Sequence, residues 1–191
     1  MNIAKIVFFS TCLALAAGGC TTTPNVVTES SRESGRTTLD AEVQTALVNL
    51  ATQVPASRDL VRQARGILVF PRVMAAGLLV GGSHGRGALL KDDGSTTGYY
   101  SSTAVSVGLL AGAESKAVYV LFMTQGSLDA FKASRGWTAG ADASVTLLKV
   151  GADGAVDTQT VKAPIVGFAL TNGGLMANLS IDGSKFSRID L

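Results

Sequence analysis

The sequence predicts an α+β fold, with N-terminal helices packed on a curved, mostly antiparallel, Gly-rich β-sheet or partial barrel. Three observations predict it. Leu39, Val43, Leu47, Leu50 and Val54 recur every three or four residues, which is one face of a helix. From Ile67 the period changes to short apolar runs and strict alternations, the patterns of buried and half-buried strands. Most of the 22 Gly residues fall in that later part, where they let strands bend or approach closely.

Composition narrows the function classes. Of the 191 residues, 47% are apolar and 16% charged, the material of a packed core rather than of a disordered segment. With 16 basic residues, 14 acidic ones and no basic block, no nucleic-acid partner is expected. Two Cys residues are too few for a disulfide scaffold. A single His, His84, excludes a His-rich metal site and leaves little for His-based catalysis.

Residues 1–19 read as an address. Lys5 precedes the largely apolar residues 6–17, a run too short for a bilayer span of about 20 residues but suited to a secretory signal. It ends in Leu15-Ala16-Ala17-Gly18-Gly19-Cys20, small residues before a Cys, which resembles a bacterial lipobox with Ala17 where Leu is usual. The resemblance implies cleavage before Cys20, acylation of Cys20 by diacylglycerol and palmitate, and loss of Cys12 with the signal. By the same resemblance, Thr21 after the Cys favours the outer membrane over the inner one. Residues 20–37, rich in Thr, Ser, Glu and Arg, read as a flexible tether, and residues 38–191 as the folded domain.

Within that domain, Thr38 or Asp40 is expected to cap the first helix and Pro55 to end it. Ser57 is expected to cap a second helix through about Arg65, with Leu60, Val61 and Ala64 inward and Gly66 closing it. Ile67-Leu68-Val69-Phe70 before Pro71 reads as a short buried strand, and residues 86–91 and 117–123 as others. Asp92-Asp93-Gly94 and Ala152-Asp153-Gly154 are turn signals. Residues 128–133 read as a short helix before Gly136-Trp137. Ala141, Ala143, Val145 and Leu147 alternate with polar residues, as do Leu175, Ala177, Leu179 and Ile181. Val166, Phe168 and Leu170 mark one more strand.

Gly66-Ile67-Leu68-Val69-Phe70-Pro71, Ala76-Gly77, Gly81-Gly82 and Gly85-Arg86-Gly87 together resemble the opening signature of SYLF domains. Gly98-Tyr99-Tyr100, the run from Gly108 to Gly112, Leu121-Phe122-Met123, Gly136-Trp137, Gly173-Gly174-Leu175-Met176 and Gly183-Ser184-Lys185 continue it. The resemblance covers about residues 38–191. It implies a non-enzymatic domain that binds lipids or a membrane surface. The family is also labelled actin-binding after yeast members, but actin is not expected as a partner in a bacterial envelope. An N-terminal amphipathic helix is implied in membrane binding by eukaryotic members, yet residues 39–54 here hold Asp40 and Glu42 and no Lys or Arg.

The individual residues favour binding over chemistry. Gly81-Gly82-Ser83-His84-Gly85 matches a nucleophile elbow in form, but a strand rather than a helix follows and the sole His adjoins the Ser. Asp92 and Asp93 fit a solvated turn better than a metal site, and Asp142 lacks a carboxylate partner. No cofactor or metal is expected. Arg58, Arg62 and Arg65 share a helix face at i, i+4 and i+7, with Arg72 beyond the next strand, a stripe suited to the phosphates of anionic phospholipids. Trp137 beside Arg135 suits either a membrane interface or an aromatic core. The expectation is a lipid-anchored envelope protein whose domain binds membrane lipids. The alternative is a structural or adaptor lipoprotein with an envelope protein partner.

Overall fold

The apolar runs of the second half form one sheet buried on both faces. The structure, a computed structural model, describes residues 28–148, 162–171, 174–175 and 181–191. The signal, Cys20, the turn at Ala152-Asp153-Gly154 and the strand positions Ala177 and Leu179 lie outside the described residues. In chain order the elements are helices α1 (Glu29–Gln53) and α2 (Ser57–Gln63), strands β1 (Gly66–Lys91) and β2 (Thr96–Phe122), and helix α3 (Gln125–Ala133). Strands β3 (Trp137–Thr138), β4 (Thr146–Leu147), β5 (Ile165–Thr171), β6 (Gly174–Leu175) and β7 (Lys185–Ile189) follow. The sheet order is β3-β7-β2-β5-β4, with β1 also on β2 and β6 on β5. Every pairing is antiparallel except that of β4 with β5. The expected α+β architecture of helices on a curled, mostly antiparallel sheet holds, as a half-barrel.

The period of two explains the continuous apolar runs. Ile67, Val69, Ala88, Leu90, Tyr119, Leu121, Val166 and Phe168 join Leu39, Val43, Leu50 and Leu60 of the helices in one core. Their neighbours Leu68, Phe70, Leu89, Val118, Val120, Phe122 and Ile165 point to the other face and pack with Leu128, Phe131, Trp137 and Phe186. A strand covered on both sides has no polar alternate, so it reads as an unbroken run. On the first face the Tyr119 hydroxyl donates to Ala46 O at 2.8 Å, and burial pushes its pKa up to about 12.

Helix α1 is longer than its apolar face. It starts at Glu29, so residues 29–37, read as tether, are helical. Among these residues only Arg36 is partly buried, and they carry no apolar period to reveal them. Thr38 and Asp40 therefore cap nothing. The Thr38 hydroxyl donates to Ser34 O, and the Asp40 carboxylate accepts from Thr96 Oγ1 at 2.9 Å and Tyr99 OH at 3.0 Å, tying α1 to β2. Ser57 is the first residue of α2 rather than its cap, and its buried Oγ has no hydrogen-bond partner. Gly66 does not close α2. The helix ends at Gln63, Ala64 is already extended, and the Arg65 amide donates to Phe122 O as the sheet begins.

The strand expected to stop before Pro71 continues to Lys91. The β1–β2 register shifts between Phe70 and Val73, so Pro71 falls where no ladder bond is needed from its missing N–H. β1 also folds back along its own length. A Cβ at Gly87 would lie 2.2 Å from Val69 O, and one at Gly85 would lie 2.7 Å from Arg72 O. The limbs before Val73 and after Gly85 thus lie against each other, with an apex between them. The expected turn at Asp92-Asp93-Gly94 closes the hairpin, Gly94 at φ +80°. The strand expected over Ala141 to Leu147 is mostly absent. Asp142 Oδ2 accepts from Thr138 N at 2.6 Å and Gly140 takes φ +85°, making a turn that leaves only Thr146–Leu147 in the sheet. Ile181 likewise lies outside any strand.

Candidate functional site

The side of α1 that does not enter the core faces β2 and the end of β5 across a groove of about 710 Å³. Glu42, Thr45 and Asn49 of α1 line it opposite Arg72 at the β1 bulge and Lys116 and Tyr119 on β2. Lys116 pairs in the ladder with Val73, so the bulge brings two cations to one rim. Burial holds the Lys116 ammonium below the usual lysine range, and Glu114 partly opposes this. The Arg72 guanidinium stands 4.0 Å from Glu42, a loose pair with both side chains exposed to water.

Two smaller hollows extend this rim toward the start of α1. Ser34, Thr38 and Glu42 line one of about 440 Å³ together with Arg72, Arg86 and Leu191. Ser31 and Arg32 line another of about 530 Å³ with His84, Arg86 and the C-terminal residues Asp190 and Leu191. Arg72, Arg86 and Lys116 form a collar of cations around the base of the β1–β2 apex, with Glu42, Glu114 and Asp190 as the acids among them.

The expected basic stripe is only partly assembled. Arg58 lies on α2 but spends its Nε on Ala51 O at 3.1 Å. Arg62 is ion-paired to Asp59 on the same exposed helix. Arg65 lies beyond the last helical residue, so it does not continue their face. Arg72 belongs instead to the collar. Trp137 is 3% exposed and stacks on Phe186, with ring centroids 5.7 Å apart, while Phe131 meets it edge-on at 5.7 Å. It is a core residue and does not reach a membrane interface. Cys20 lies outside the described residues.

Other residues singled out from the sequence serve the fold. Ser83 and His84 sit in mid-strand, paired with Ala104 and Thr103, so the nucleophile-elbow context of strand, turn and helix is missing. Asp93 Oδ1 accepts from Ser95 N at 2.8 Å, and Ser95 holds the Asp93 carboxyl below its usual range. Among the described residues no group of three or more His, Cys, Asp or Glu could hold a metal, and no helix is long and apolar enough to cross a membrane. Sequence reading missed Arg86 and Lys116 as members of this rim. Arg86 lay within a Gly-rich motif and Lys116 beside an apolar run, and neither neighbourhood signals a cation cluster.

Residues 103–190 match the family model Ysc84, described as Las17-binding protein actin regulator. The match runs from mid-β2 to β7. It leaves the opening motif at Gly66 to Pro71 and the Gly85-Arg86-Gly87 segment outside its bounds. No curated protein matches the chain.

Proposed function

We propose, from the premise that residues 103–190 are a SYLF-family domain, a family of lipid- or actin-related binding domains, that this chain binds membrane lipids without catalysis. The family match is the observation that carries the reading. The collar of Arg72, Arg86 and Lys116 supplies its chemistry, because guanidinium and ammonium groups meet lipid phosphates through charge-assisted hydrogen bonds. Cys20 is proposed as the acylated anchor in a bacterial envelope, on the lipobox-like residues before it. Tethering raises the effective concentration of the domain at the surface, so individually weak contacts suffice. Labelled palmitate should enter the parent chain and not Cys20→Ser, and equal labelling of the two would remove the anchor.

A chain beginning at Thr21, which keeps every described helix and strand, should sediment with vesicles containing phosphatidylglycerol. Binding should fall as salt rises. Reversing two cations, Arg72→Glu with Arg86→Glu, should weaken it at least about tenfold, at about 1 kcal/mol per basic residue near an anionic surface. Arg62→Glu should change it less, since Asp59 already occupies that guanidinium. Failure to sediment would end the lipid reading. Co-purification of an envelope protein would then favour the adaptor alternative, which the protein partner named in the family description also supports.

A further inference from the structure

The collar borders the middle of the β1–β2 hairpin, where Val73 joins the second core and Met74 and Val105 are exposed. No charged residue lies between Arg72 and His84 on β1, or between Thr96 and Glu114 on β2. The paired segments are Val-Met-Ala-Ala-Gly-Leu-Leu-Val-Gly-Gly-Ser (73–83) and Ala-Val-Ser-Val-Gly-Leu-Leu-Ala-Gly-Ala (104–113). Among the described residues β7 flanks β2 only at 99–103 and β5 only at 117–122. Between those stretches no third strand flanks the hairpin among the described residues. Its described side chains include two of the most exposed large apolar ones, Met74 at 49% and Val105 at 81%. The register passes from Gly77↔Gly112 to Leu79↔Gly108, which places Leu78 opposite Leu109, Leu110 and Ala111 outside the regular ladder.

Resting on the lipid reading above, we propose that this apex is the element that enters the headgroup and upper acyl region of an anionic bilayer. Two observations point to a bilayer as what covers it. First, the apolar apex is bounded at its base by Arg72, Arg86 and Lys116, with Glu42, Glu114 and Asp190 the nearby acids. An apolar tip with cations at its base places apolar atoms below and guanidinium and ammonium groups at phosphate level. Second, the described part of the chain begins on the same side. Ser31 and Arg32, in the first turn of α1, share a hollow with His84 and Arg86 of the collar. The eight-residue step from Cys20 to Thr28 spans at most about 29 Å. An anchor at Cys20 therefore holds the bilayer beside the collar.

Entry is shallow. A two-stranded ladder leaves amides and carbonyls unpaired along both outer edges, and these cannot be satisfied in hydrocarbon. The apex rests in the interfacial layer, where headgroups and water supply partners, and does not cross.

The test uses the chain from Thr21, which contains neither of the two native Cys residues. Leu110→Cys carries a nitrobenzoxadiazole label, and Asp92→Cys, at the closed end of the hairpin, carries the control label. On adding phosphatidylglycerol vesicles, the label at 110 should brighten, shift to the blue and be quenched by spin-labelled acyl chains, while that at 92 should not change. Leu109→Asp with Leu110→Asp should reduce vesicle sedimentation at least about tenfold through lost apolar burial. Vesicle binding with an unchanged label at 110 would overturn the apex and leave the lipid reading standing. Absence of vesicle binding would overturn both. Shielding at 110 that rises with protein concentration without vesicles would assign the apex to a second copy of the chain and overturn the proposal.

Discussion

Replacing Gly87 by alanine should destabilise the fold by at least about 3 kcal/mol, at the upper end of what overpacking costs. The added Cβ would lie 2.2 Å from Val69 O and 2.6 Å from Phe70 Cδ1. One neighbour is backbone, and the other is a ring held in the core against Phe186 with centroids 5.1 Å apart. Neither can swing away as the end of a flexible side chain would. Relief requires the two limbs of β1 to separate, which also pulls the Val69↔Tyr119 and Gly87↔Tyr100 pairings apart. Gly126→Ala is the companion change. A Cβ there meets nothing within 4 Å, and its position in α3 should make it neutral or stabilising by up to about 1 kcal/mol. Urea unfolding compares the three proteins. An unchanged midpoint for Gly87→Ala would show that the limbs of β1 do not touch in solution.

That contact also shows how far the sequence could be read. The face of Leu39, Val43 and Leu50 was legible because a single helix stripe meets the sheet. Residues 29–37 continue the same helix with only Arg36 partly buried, and periodicity cannot register a face with no apolar partner. The runs at Ile67 to Phe70 and Val118 to Phe122 were legible as buried strands. Their true length was hidden, because Pro71 and the glycines mark bulges and a fold-back that the ladder absorbs, while in sequence they read as strand ends. Ala141 to Leu147 alternated as a strand should, but Asp142 is drawn to the Thr138 amide and makes a turn. Local hydrogen bonding by a short acidic side chain outweighed the weak pull of an alternating pattern.

Of the cations on the rim, only Arg72 was legible in the sequence. The sequence pointed to arginines and to phosphates, and it placed them by helical spacing along α2. The collar is assembled by the fold-back of β1 and by its pairing with β2, which bring Arg72, Arg86 and Lys116 to one rim. Such long-range placement leaves no mark on local spacing. Arg72 appears in both accounts because it lies at the bulge where the chain leaves the core.

Trp137→Ala should destabilise the protein by about 3–5 kcal/mol, as expected for emptying a buried aromatic site. Trp137 touches Phe122 and Phe131 edge-on and stacks on Phe186, so its removal leaves a cavity walled by rings from β2, α3 and β7. Trp137→Phe keeps part of that packing and should lose less. The same residue separates its two readings directly, because it is the only Trp of the chain and intrinsic emission reports it alone. In the core, its emission should be blue-shifted before any lipid is added and should stay there when vesicles bind. A blue shift on adding vesicles would move Trp137 out of the core and back to the membrane interface. Steady emission during binding assigns the lipid contact to surfaces that carry no Trp, as the collar and the apex do.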